Sequence, residues 1–403
     1  MSFGIPLTNC INTVSANEMA VTRLHGLTSI GVDRMGAIAD RLGDKTLLRL
    51  ENLDTDLRPP AGVIEATKQA VDLDTANSYL PFLGSDALRE AAAALVSRLS
   101  GVGYDWNNST IICAGGLNGI FNVLLALLEP GDEVVMTDPM YVGLINRVRL
   151  AGGVPVYLPF KIDNGMWKLD YDKFQGVITR KTKLFLMMSP SMPTGAVFSR
   201  RDWEIICDTC CQADAWLLYD GAMERILYDG LGHVHPASFP GMPERTITVG
   251  SVSKEYRMIG WRVGWIVAPQ AIITDIGLVT VSNAVCPVGI AQKAATIALR
   301  MPDSEIALVT EEWQRRRDIM LEELDGFFVV KPQGGWSMLM DVSTFGTTGA
   351  EFSRRLLEKS QVVATAMTGW GSDRSDRFIR FVFSNEPVRR LKGLRRRIDA
   401  AIG

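Results

Sequence analysis

The 403-residue sequence is poor in histidine and cysteine and has no long apolar run. Three of its six cysteines, Cys207, Cys210 and Cys211, fall on one predicted helix over residues 201–213. Because no second cysteine pair accompanies them, we interpret them as small side chains that pack the helix rather than as half of a metal site. So few cysteines in so long a chain do not make a disulfide framework. We expect no metal and a reducing, cytoplasmic location.

No segment indicates secretion or a membrane anchor. The longest uninterrupted apolar run beside a predicted helix covers residues 123–128, whereas about 20 residues are needed to span a bilayer. Residues 1–12 contain no basic leader and are interrupted by Gly4, Pro6 and Asn9. We therefore expect no targeting segment and no membrane partner.

A dominant charge of one sign is also missing. Lysine and arginine number 42 against 45 aspartates and glutamates, which gives a net charge of −3. Such a balance creates no field that would attract nucleic acid. The arginine runs at residues 315–317 and 395–397 are expected to lie on solvated helix faces. We therefore expect no nucleic-acid partner.

Short β-rich runs alternate with helical runs through the middle of the chain. Such alternation implies crossover connections and a mostly parallel sheet covered by helices on both faces. Ligands of such sheets bind at the carboxyl ends of the strands. Strands are predicted at residues 110–113, 133–136, 184–188, 216–219, 246–249 and 263–267, and helices at residues 117–128 and 141–150.

The C-terminal part has a different pattern. A long amphipathic helix is predicted over residues 304–324 and a final helix over residues 387–402, whose apolar side chains recur at helical spacing. Between them lie predicted strands at residues 327–331, 336–341 and 378–383. This mixture favours a second, smaller α+β layer.

The most informative segment covers residues 250–265, in which Ser251, Ser253 and Lys254 precede a Gly-x-Arg-x-Gly pattern centred on Arg262. Hydroxyl groups and a guanidinium suit a phosphate, and a nearby amine suits an aldehyde. Pyridoxal 5′-phosphate presents both groups. For any single lysine, the alternative is a solvated surface charge.

Two further motifs follow predicted strands. Residues 115–119 read Gly-Gly-Leu-Asn-Gly and open a helix, where glycine allows close approach and the first N–H groups favour an anion. The alternative for this motif is an ordinary turn. Asp220 ends an apolar strand, and a buried carboxylate needs a partner such as the ring nitrogen of the same cofactor. The alternative for Asp220 is a helix N-cap.

In this order, the motifs resemble the class I and II aminotransferases, which are fold type I pyridoxal-phosphate enzymes similar to aspartate aminotransferase. The matches run from about residue 50 to residue 384. The resemblance implies that Lys254 forms a Schiff base with the cofactor, that Asp220 contacts its ring nitrogen, and that Tyr141 stacks on its ring. These three would be the catalytic residues, although Tyr141 could instead cap a helix. The implied phosphate contacts are Gly116, Leu117, Ser251, Ser253 and Arg262.

The resemblance also implies an α/β fold with a discontinuous division into domains. The large cofactor-binding domain, with a mostly parallel and doubly covered sheet, would cover residues 51–300. The smaller α+β domain would combine residues 1–50 with residues 301–403. Periodicity alone does not show this division.

Substrate and partner contacts follow from the same resemblance. Arg380, a lone charge in an apolar strand, would bind the substrate α-carboxylate through two parallel hydrogen bonds; the alternative is an edge-strand arginine paired with a local aspartate. Tyr79 begins the family pattern Tyr-x-x-x-x-Gly-x-x-x-Leu-Arg and would reach the phosphate of a neighbouring subunit, which implies a homodimer. Otherwise Tyr79 is a loop aromatic. Asn52, residues 26–33 and Asn283 are placed in the substrate pocket.

Two positions depart from the family pattern. The usual Asn-Pro-x-Asn-Pro-Thr-Gly appears as residues 189–195 with Met192 in place of the second asparagine. The usual Asp-x-x-Tyr appears as residues 220–223 with Met223 in place of the tyrosine. In the family, both replaced side chains donate to the phenolic oxygen of the cofactor, and a thioether cannot donate.

This loss of donors has two expected consequences. The Schiff base at Lys254 should keep its proton to a higher pH than in a typical aminotransferase. Arg380 should carry more of the binding of the substrate carboxylate, with help from Ser191. The alternative is a harmless replacement, in which water or another side chain supplies the donor.

The predicted function is transfer of an amino group between an α-amino acid and a 2-oxo acid, in amino-acid metabolism. The alternatives are another reaction of the same cofactor, catalysed by a lyase, decarboxylase, racemase or oxidase, and a non-catalytic regulatory protein that binds the cofactor. The regulatory alternative is disfavoured because no basic recognition helix precedes residue 50. No second arginine that would bind a side-chain carboxylate is identified.

Overall fold

The computed structural model describes residues 21–403. The predicted absence of a leader concerns residues 1–12, which lie outside the described residues. The prediction that residues 1–50 belong to the small domain lies outside them for residues 1–20. From residue 21 onward, no helix is both long enough and apolar enough to cross a bilayer.

The described strands and helices alternate through the middle of the chain. The strands are β1 (Leu48–Arg49), β2 (Thr110–Cys113), β3 (Glu133–Asp138), β4 (Val154–Asp163), β5 (Met166–Leu169), β6 (Thr182–Met188), β7 (Trp216–Asp220), β8 (Thr246–Ser251), β9 (Gly264–Val267), β10 (Ser337–Asp341), β11 (Val362–Val363), β12 (Thr365–Ala366) and β13 (Phe378–Val382). The helices are α1 (Val32–Leu42), α2 (Ala61–Val71), α3 (Asp86–Ser100), α4 (Trp106–Ser109), α5 (Gly116–Leu127), α6 (Val142–Leu150), α7 (Tyr171–Phe174), α8 (Arg200–Gln212), α9 (Gln270–Ala284), α10 (Gly289–Leu299), α11 (Ser304–Glu323), α12 (Gly349–Ser360), α13 (Val388–Leu391) and α14 (Leu394–Ile402).

The larger sheet of the described residues has eight strands in the order β2-β9-β8-β7-β6-β3-β4-β5. Its central strands pair in parallel from β4 through β3, β6 and β7 to β8, and β9 runs antiparallel to both β2 and β8. The predicted mostly parallel sheet is therefore confirmed. Neither β4 nor β5, which form one end of the sheet, was predicted, because β4 is half-exposed and its pattern is less apolar.

The central strands read as continuous apolar runs because both faces of the sheet are buried. In β7, Leu218 points into a core shared with α5 and α6, whereas Leu217 and Tyr219 point into a core shared with α8. Cys207 and Cys210 of α8 lie in that second core, as small buried side chains.

Two smaller sheets lie in the C-terminal part together with β1. Strand β13 pairs antiparallel with β10 on one side and β12 on the other, and β1 pairs in parallel with β11. Residues 327–331 are not a strand, contrary to the prediction: only Val329 makes an isolated bridge, to Met340, and Pro332 then removes a backbone donor.

The predicted single helix over residues 387–402 is also wrong, because it is two helices, α13 and α14. Gly393 adopts φ 92° between them, a left-handed conformation that glycine reaches without steric cost.

The arginine run of α11 does not form a solvated face as expected. Arg316 and Arg317 are buried, with 2% and 1% exposure. Arg316 pairs with Asp56 at 2.6 Å, and Arg317 pairs with Asp229 at 2.8 Å. Successive residues of a helix point about 100° apart, so three adjacent arginines cannot share one face.

Candidate active site

The carboxyl ends of β6, β7 and β8 lie side by side at one edge of the large sheet. Met188 is in register with Asp220, and Asp220 is in register with Val249, two residues before the end of β8 at Ser251. Strand β9 enters the sheet at the same edge, because Gly264 pairs with Ser251. The segments that follow or precede these ends therefore converge on one site.

Lys254 lies three residues beyond the end of β8 and is half-buried. Its Nζ donates to the backbone oxygen of Leu53 at 2.6 Å and lies 5.1 Å from the centre of the Trp336 ring. Burial lowers the pKa of Lys254 to about 8. The charges that further tune this pKa are Asp54 and Asp220, which raise it, and Arg262 and Arg380, which lower it. An amine with a lowered pKa is a suitable nucleophile.

Asp220 is the last residue of β7 and is buried. Its Oδ1 accepts a hydrogen bond from the N–H of Ala222 at 3.1 Å within a turn, so it is not a helix N-cap. Burial raises the pKa of Asp220 to about 6, the N–H of Ala222 lowers it, nearby Glu224 raises it, and Lys254 lowers it. This carboxylate is therefore placed where a cationic partner would stabilise its charged form.

Two buried serines and an exposed arginine meet the start of α5. The Oγ of Ser251 donates to the Oγ of Ser253 at 2.8 Å, and Nη1 of Arg262 lies 3.4 Å from the same Ser253 oxygen. A Cβ on Gly115 would lie 2.4 Å from Nη2 of Arg262, so a side chain here would displace the guanidinium from this position. Helix α5 starts at Gly116, and the N–H groups of Gly116 and Leu117 are in its first turn, where no intrahelical acceptor exists. Hydroxyls, a guanidinium and a helix N-terminus suit a phosphate.

Arg380 is the central residue of β13 and is 1% exposed. Its Nη2 donates to the backbone oxygen of Glu51, and its Nη1 lies 3.8 Å from Sδ of Met192. Its Nε is buried without an acceptor among residues 21–403. Burial lowers the pKa of Arg380 to about 10, against the opposing effects of Tyr141 and Glu51. Since β13 is the middle strand of its sheet, the alternative of an edge-strand arginine is wrong.

Tyr141 stands immediately before α6 and is half-buried. Its ring lies 5.4 Å from the ring of Trp370, which in turn lies 4.9 Å from the guanidinium carbon of Arg380. Burial raises the pKa of Tyr141, and Arg147 and Arg380 lower it. The aromatic ring expected to stack on the cofactor and the arginine expected to bind the substrate are thus linked through one tryptophan.

Met192 and Met223 are both buried, with 6% and 2% exposure. Met192 contacts Arg380, as described above. A Cβ on Gly335 would lie 3.6 Å from Sδ of Met223, which places Met223 beside the turn that leads into Trp336. Met192 therefore lies beside Arg380, and Met223 lies near the turn before Trp336, whose ring faces Lys254.

Three predicted site residues lie outside this group of contacts around Lys254 and Arg380. Tyr79 is 80% exposed, with Phe82 as its aromatic neighbour at 6.5 Å. Asn52 is exposed, although the next residue, Leu53, accepts the hydrogen bond from Lys254. Asn283 donates to Oδ1 of Asn122 at 2.8 Å, on the contact between α5 and α9.

Sequence reasoning missed Trp336, Trp370 and Leu53. The segment over residues 26–33, predicted in the pocket, reaches this group through Ile30, whose oxygen accepts from Nε1 of Trp370 at 3.3 Å. The one signal for Trp336 is the pair of glycines before it, at Gly334 and Gly335. Gly335 has φ 73°, a left-handed conformation that marks a tight turn at the site.

Comparison with known proteins decides the family. A family model described as aminotransferase class I and II matches residues 44–398, which is most of the chain. The chain belongs to this family.

Relatives and solved structures agree with this assignment. This aminotransferase is 32% identical over 353 residues to arginine–pyruvate transaminase AruH of Pseudomonas aeruginosa, across 86% of this chain and 88% of the relative. It is 33% identical to aspartate aminotransferase of Pyrococcus abyssi, across 82% and 85% of the two chains. The structure of N-succinyldiaminopimelate aminotransferase from Mycobacterium tuberculosis matches with a TM-score of 0.89 at 29% identity, across 95% of this chain and 100% of that one. Aspartate aminotransferase from Thermus thermophilus with maleate matches with a TM-score of 0.87 at 29% identity, across 95% and 99%.

The predicted fold type I architecture, the aminotransferase function and the pyridoxal 5′-phosphate cofactor are therefore confirmed. The site of this aminotransferase also fits the cofactor on its own geometry. Ser251, Ser253 and Arg262 offer donors to a phosphate beside the start of α5, and a side chain on Gly115 would fill that space. Lys254 offers an amine to an aldehyde, and Asp220 offers a buried carboxylate to a ring nitrogen.

Proposed function

We propose that Lys254 binds the cofactor covalently as a Schiff base and then moves the proton during amino-group transfer between an α-amino acid and a 2-oxo acid. The observation that supports this proposal is a half-buried amine, with a pKa lowered to about 8, at the end of β8 and beside Asp220. When bound, pyridoxal 5′-phosphate supplies an aldehyde carbon that receives the amino group and a ring that accepts electrons from the substrate Cα. Nζ of Lys254 would then act as the general base that takes the proton from the substrate Cα.

Further roles follow for the residues around Lys254. Asp220 would hold a positive charge on the ring nitrogen, because its buried carboxylate has few other ways to be stabilised. Tyr141 would pack against the ring of the cofactor. The proposed phosphate contacts are the N–H groups of Gly116 and Leu117, the hydroxyls of Ser251 and Ser253, and the guanidinium of Arg262.

Arg380 is proposed to bind the α-carboxylate of the substrate together with Asn52, which directly follows Glu51, the backbone partner of Arg380. Two observations support this role: its Nε lacks an acceptor within residues 21–403, and its Nη1 faces only the weakly accepting thioether of Met192. A carboxylate would accept two parallel hydrogen bonds from such a guanidinium. Because Met192 cannot donate, Arg380 would carry most of this interaction, with the buried hydroxyl of Ser191 as a second donor.

A homodimer is proposed, in which Tyr79 reaches the phosphate site of the partner subunit. Tyr79 and Phe82 are exposed together. Gly289, the first residue of α10, packs against Ala76, and exposed Val285 and Val288 lie just before it. Exposed apolar groups that lie close together favour a protein interface. Sedimentation of the purified protein should give twice the chain mass, and a monomer would contradict the proposal.

Two further proposals, on the division into domains and on the cellular location, rest on the sequence. We propose that residues 51–300 form the large domain and that residues 301–403 join the N-terminal segment in the small one. Limited proteolysis should then leave a fragment of the large domain. We also propose a cytoplasmic location, which cell fractionation with an antibody would test.

The substrate is to be sought among those that the relatives name. Arginine, aspartate and aromatic amino acids appear in the names of relatives. Incubation of the cofactor-loaded protein with each amino acid should convert the visible spectrum to that of the pyridoxamine form and release one equivalent of 2-oxo acid. Ammonia, carbon dioxide or peroxide in place of the oxo acid would favour the lyase, decarboxylase or oxidase alternatives.

A further inference from the structure

By the family resemblance, Met192 and Met223 would leave the phenolic oxygen of the cofactor without the two donors that the family pattern supplies. Among residues 21–403, Trp336 holds a buried indole N–H without an acceptor close to Lys254. A buried donor without an acceptor is destabilising. Such a group is therefore expected to have a function or a missing partner.

We propose that the indole N–H of Trp336 donates a hydrogen bond to the phenolic oxygen of the cofactor and replaces the donors lost at Met192 and Met223. This proposal rests on the proposed Schiff base at Lys254. It makes Trp336 a residue that contacts the cofactor and sets the acidity of the Schiff base.

Distance supports this role. The Trp336 ring is centred 5.1 Å from Nζ of Lys254. The phenolic oxygen of the cofactor would lie next to the Schiff-base nitrogen, which is Nζ of Lys254. The Trp336 ring therefore borders the space that this oxygen would occupy.

The ring of Trp336 is held in place from several sides. The ring of Trp313 packs against it at 4.9 Å, and the backbone oxygen of Trp336 accepts from the N–H of Phe383 at 3.0 Å. The next residue, Ser337, donates to the backbone oxygen of Pro193 at 2.9 Å, next to Met192. Met223 lies beside the preceding Gly335. The residues on either side of Trp336 thus lie next to Met223 and to Pro193, the residue after Met192.

Two rival explanations give different results in a test. The first is that Trp336 only presents its ring face to the Lys254 ammonium, a cation–π contact that phenylalanine would largely keep. The second is that the hydroxyl of Ser191, also buried without a partner within the described residues, is the donor. Trp336→Phe and Ser191→Ala separate these rivals from the proposal.

The control variant is Trp203→Phe. Trp203, on α8, is as buried as Trp336, and its indole N–H also has no acceptor within the described residues. None of the variants changes the charged groups that face Lys254, which are Asp54, Asp220, Arg262 and Arg380. A difference between Trp336→Phe and Trp203→Phe therefore reports the donor to the cofactor rather than the loss of a buried indole.

The test is a pH titration of the visible absorbance of each cofactor-loaded protein. A donor stabilises the free phenolate of the deprotonated Schiff base, so its removal raises the apparent pKa. We expect Trp336→Phe to raise it by about 1 unit relative to wild type, the effect of one hydrogen bond to a charged group. Trp203→Phe and Ser191→Ala should titrate as wild type. A wild-type titration for Trp336→Phe, or a rise for Ser191→Ala alone, overturns the proposal.

A second measurement uses only the wild-type protein, so it does not depend on the folding of a variant. In wild-type protein labelled with ¹⁵N-tryptophan, addition of cofactor should move one indole N–H resonance downfield, as a new hydrogen bond requires. The absence of such a shift also overturns the proposal. A failure of the proposed function is seen separately, because a protein without a Schiff base at Lys254 has no pH-dependent visible band to titrate.

Discussion

Lys254→Met should stabilise the protein from which the cofactor has been removed. The site takes a charged amine out of water, and the pKa of Lys254 falls from 10.5 to about 8. At 1.36 kcal/mol per pH unit, protonation is about 3 kcal/mol less favourable in the folded state than in the unfolded state. The hydrogen bond to Leu53 and the contact with the Trp336 ring oppose this penalty. About 3 kcal/mol is therefore the upper value of the stabilisation.

The sign of the pH dependence follows from the two pKa values. Below pH 8, Lys254 is charged in both states, and the full penalty applies. Between pH 8 and pH 10.5 the unfolded state binds more protons than the folded state, so the stability of the wild type rises with pH. The advantage of Lys254→Met is therefore largest at neutral pH and disappears as the pH approaches 10.5.

The assay is thermal unfolding of both cofactor-free proteins between pH 7 and pH 10. An unfolding entropy of about 2.1 cal/mol/K per residue over 403 residues converts about 3 kcal/mol into about 4 °C if the chain unfolds as one unit. Lys68→Met, which removes an exposed lysine on α2, is the matched control and should show no pH-dependent difference. Equal melting temperatures at pH 7, or a difference that is unchanged at pH 10, would refute the reasoning.

Two catalytic variants complete the predictions. Asp220→Asn should lower kcat/KM at least about 100-fold, or about 3 kcal/mol, because an amide cannot hold a positive charge on the ring nitrogen. Asp220→Glu should recover part of the loss. Single-turnover kinetics measures the effect, and an unchanged rate for Asp220→Asn would contradict the prediction. Arg380→Lys should raise KM for every amino acid about 10- to 100-fold, since a bidentate charged contact contributes about 1.5–3 kcal/mol. Arg377→Lys, near the start of the same strand and exposed, is the control for Arg380→Lys and should leave KM unchanged.

The large sheet could be predicted because its strands are buried on both faces. The runs over residues 111–113, 184–188 and 216–219 are apolar, and helices separate them, so the pattern is local. The residues at the strand ends were equally predictable. Lys254 and Arg262 belong to a short segment whose hydroxyl, amine and guanidinium groups already suit one cofactor.

The aromatic surroundings of the site could not be predicted in the same way. Trp336 comes to Lys254 across 82 residues of sequence, and its indole N–H has meaning only beside a site that the fold assembles. Arg316 and Arg317 show the same limit, because their partners Asp56 and Asp229 are distant in sequence. The break at Gly393 has a different cause. The apolar spacing of residues 387–402 is helical, but glycine has a low helix propensity and ends the first helix there.

The covalent attachment of the cofactor at Lys254 is the claim on which the other roles depend. Borohydride reduction of the cofactor-loaded protein, followed by peptide mapping, should place the pyridoxyl group on the peptide that contains Lys254, and Lys254→Met should remain unlabelled. A pyridoxyl group on another lysine, or an unlabelled wild-type protein, would contradict the account.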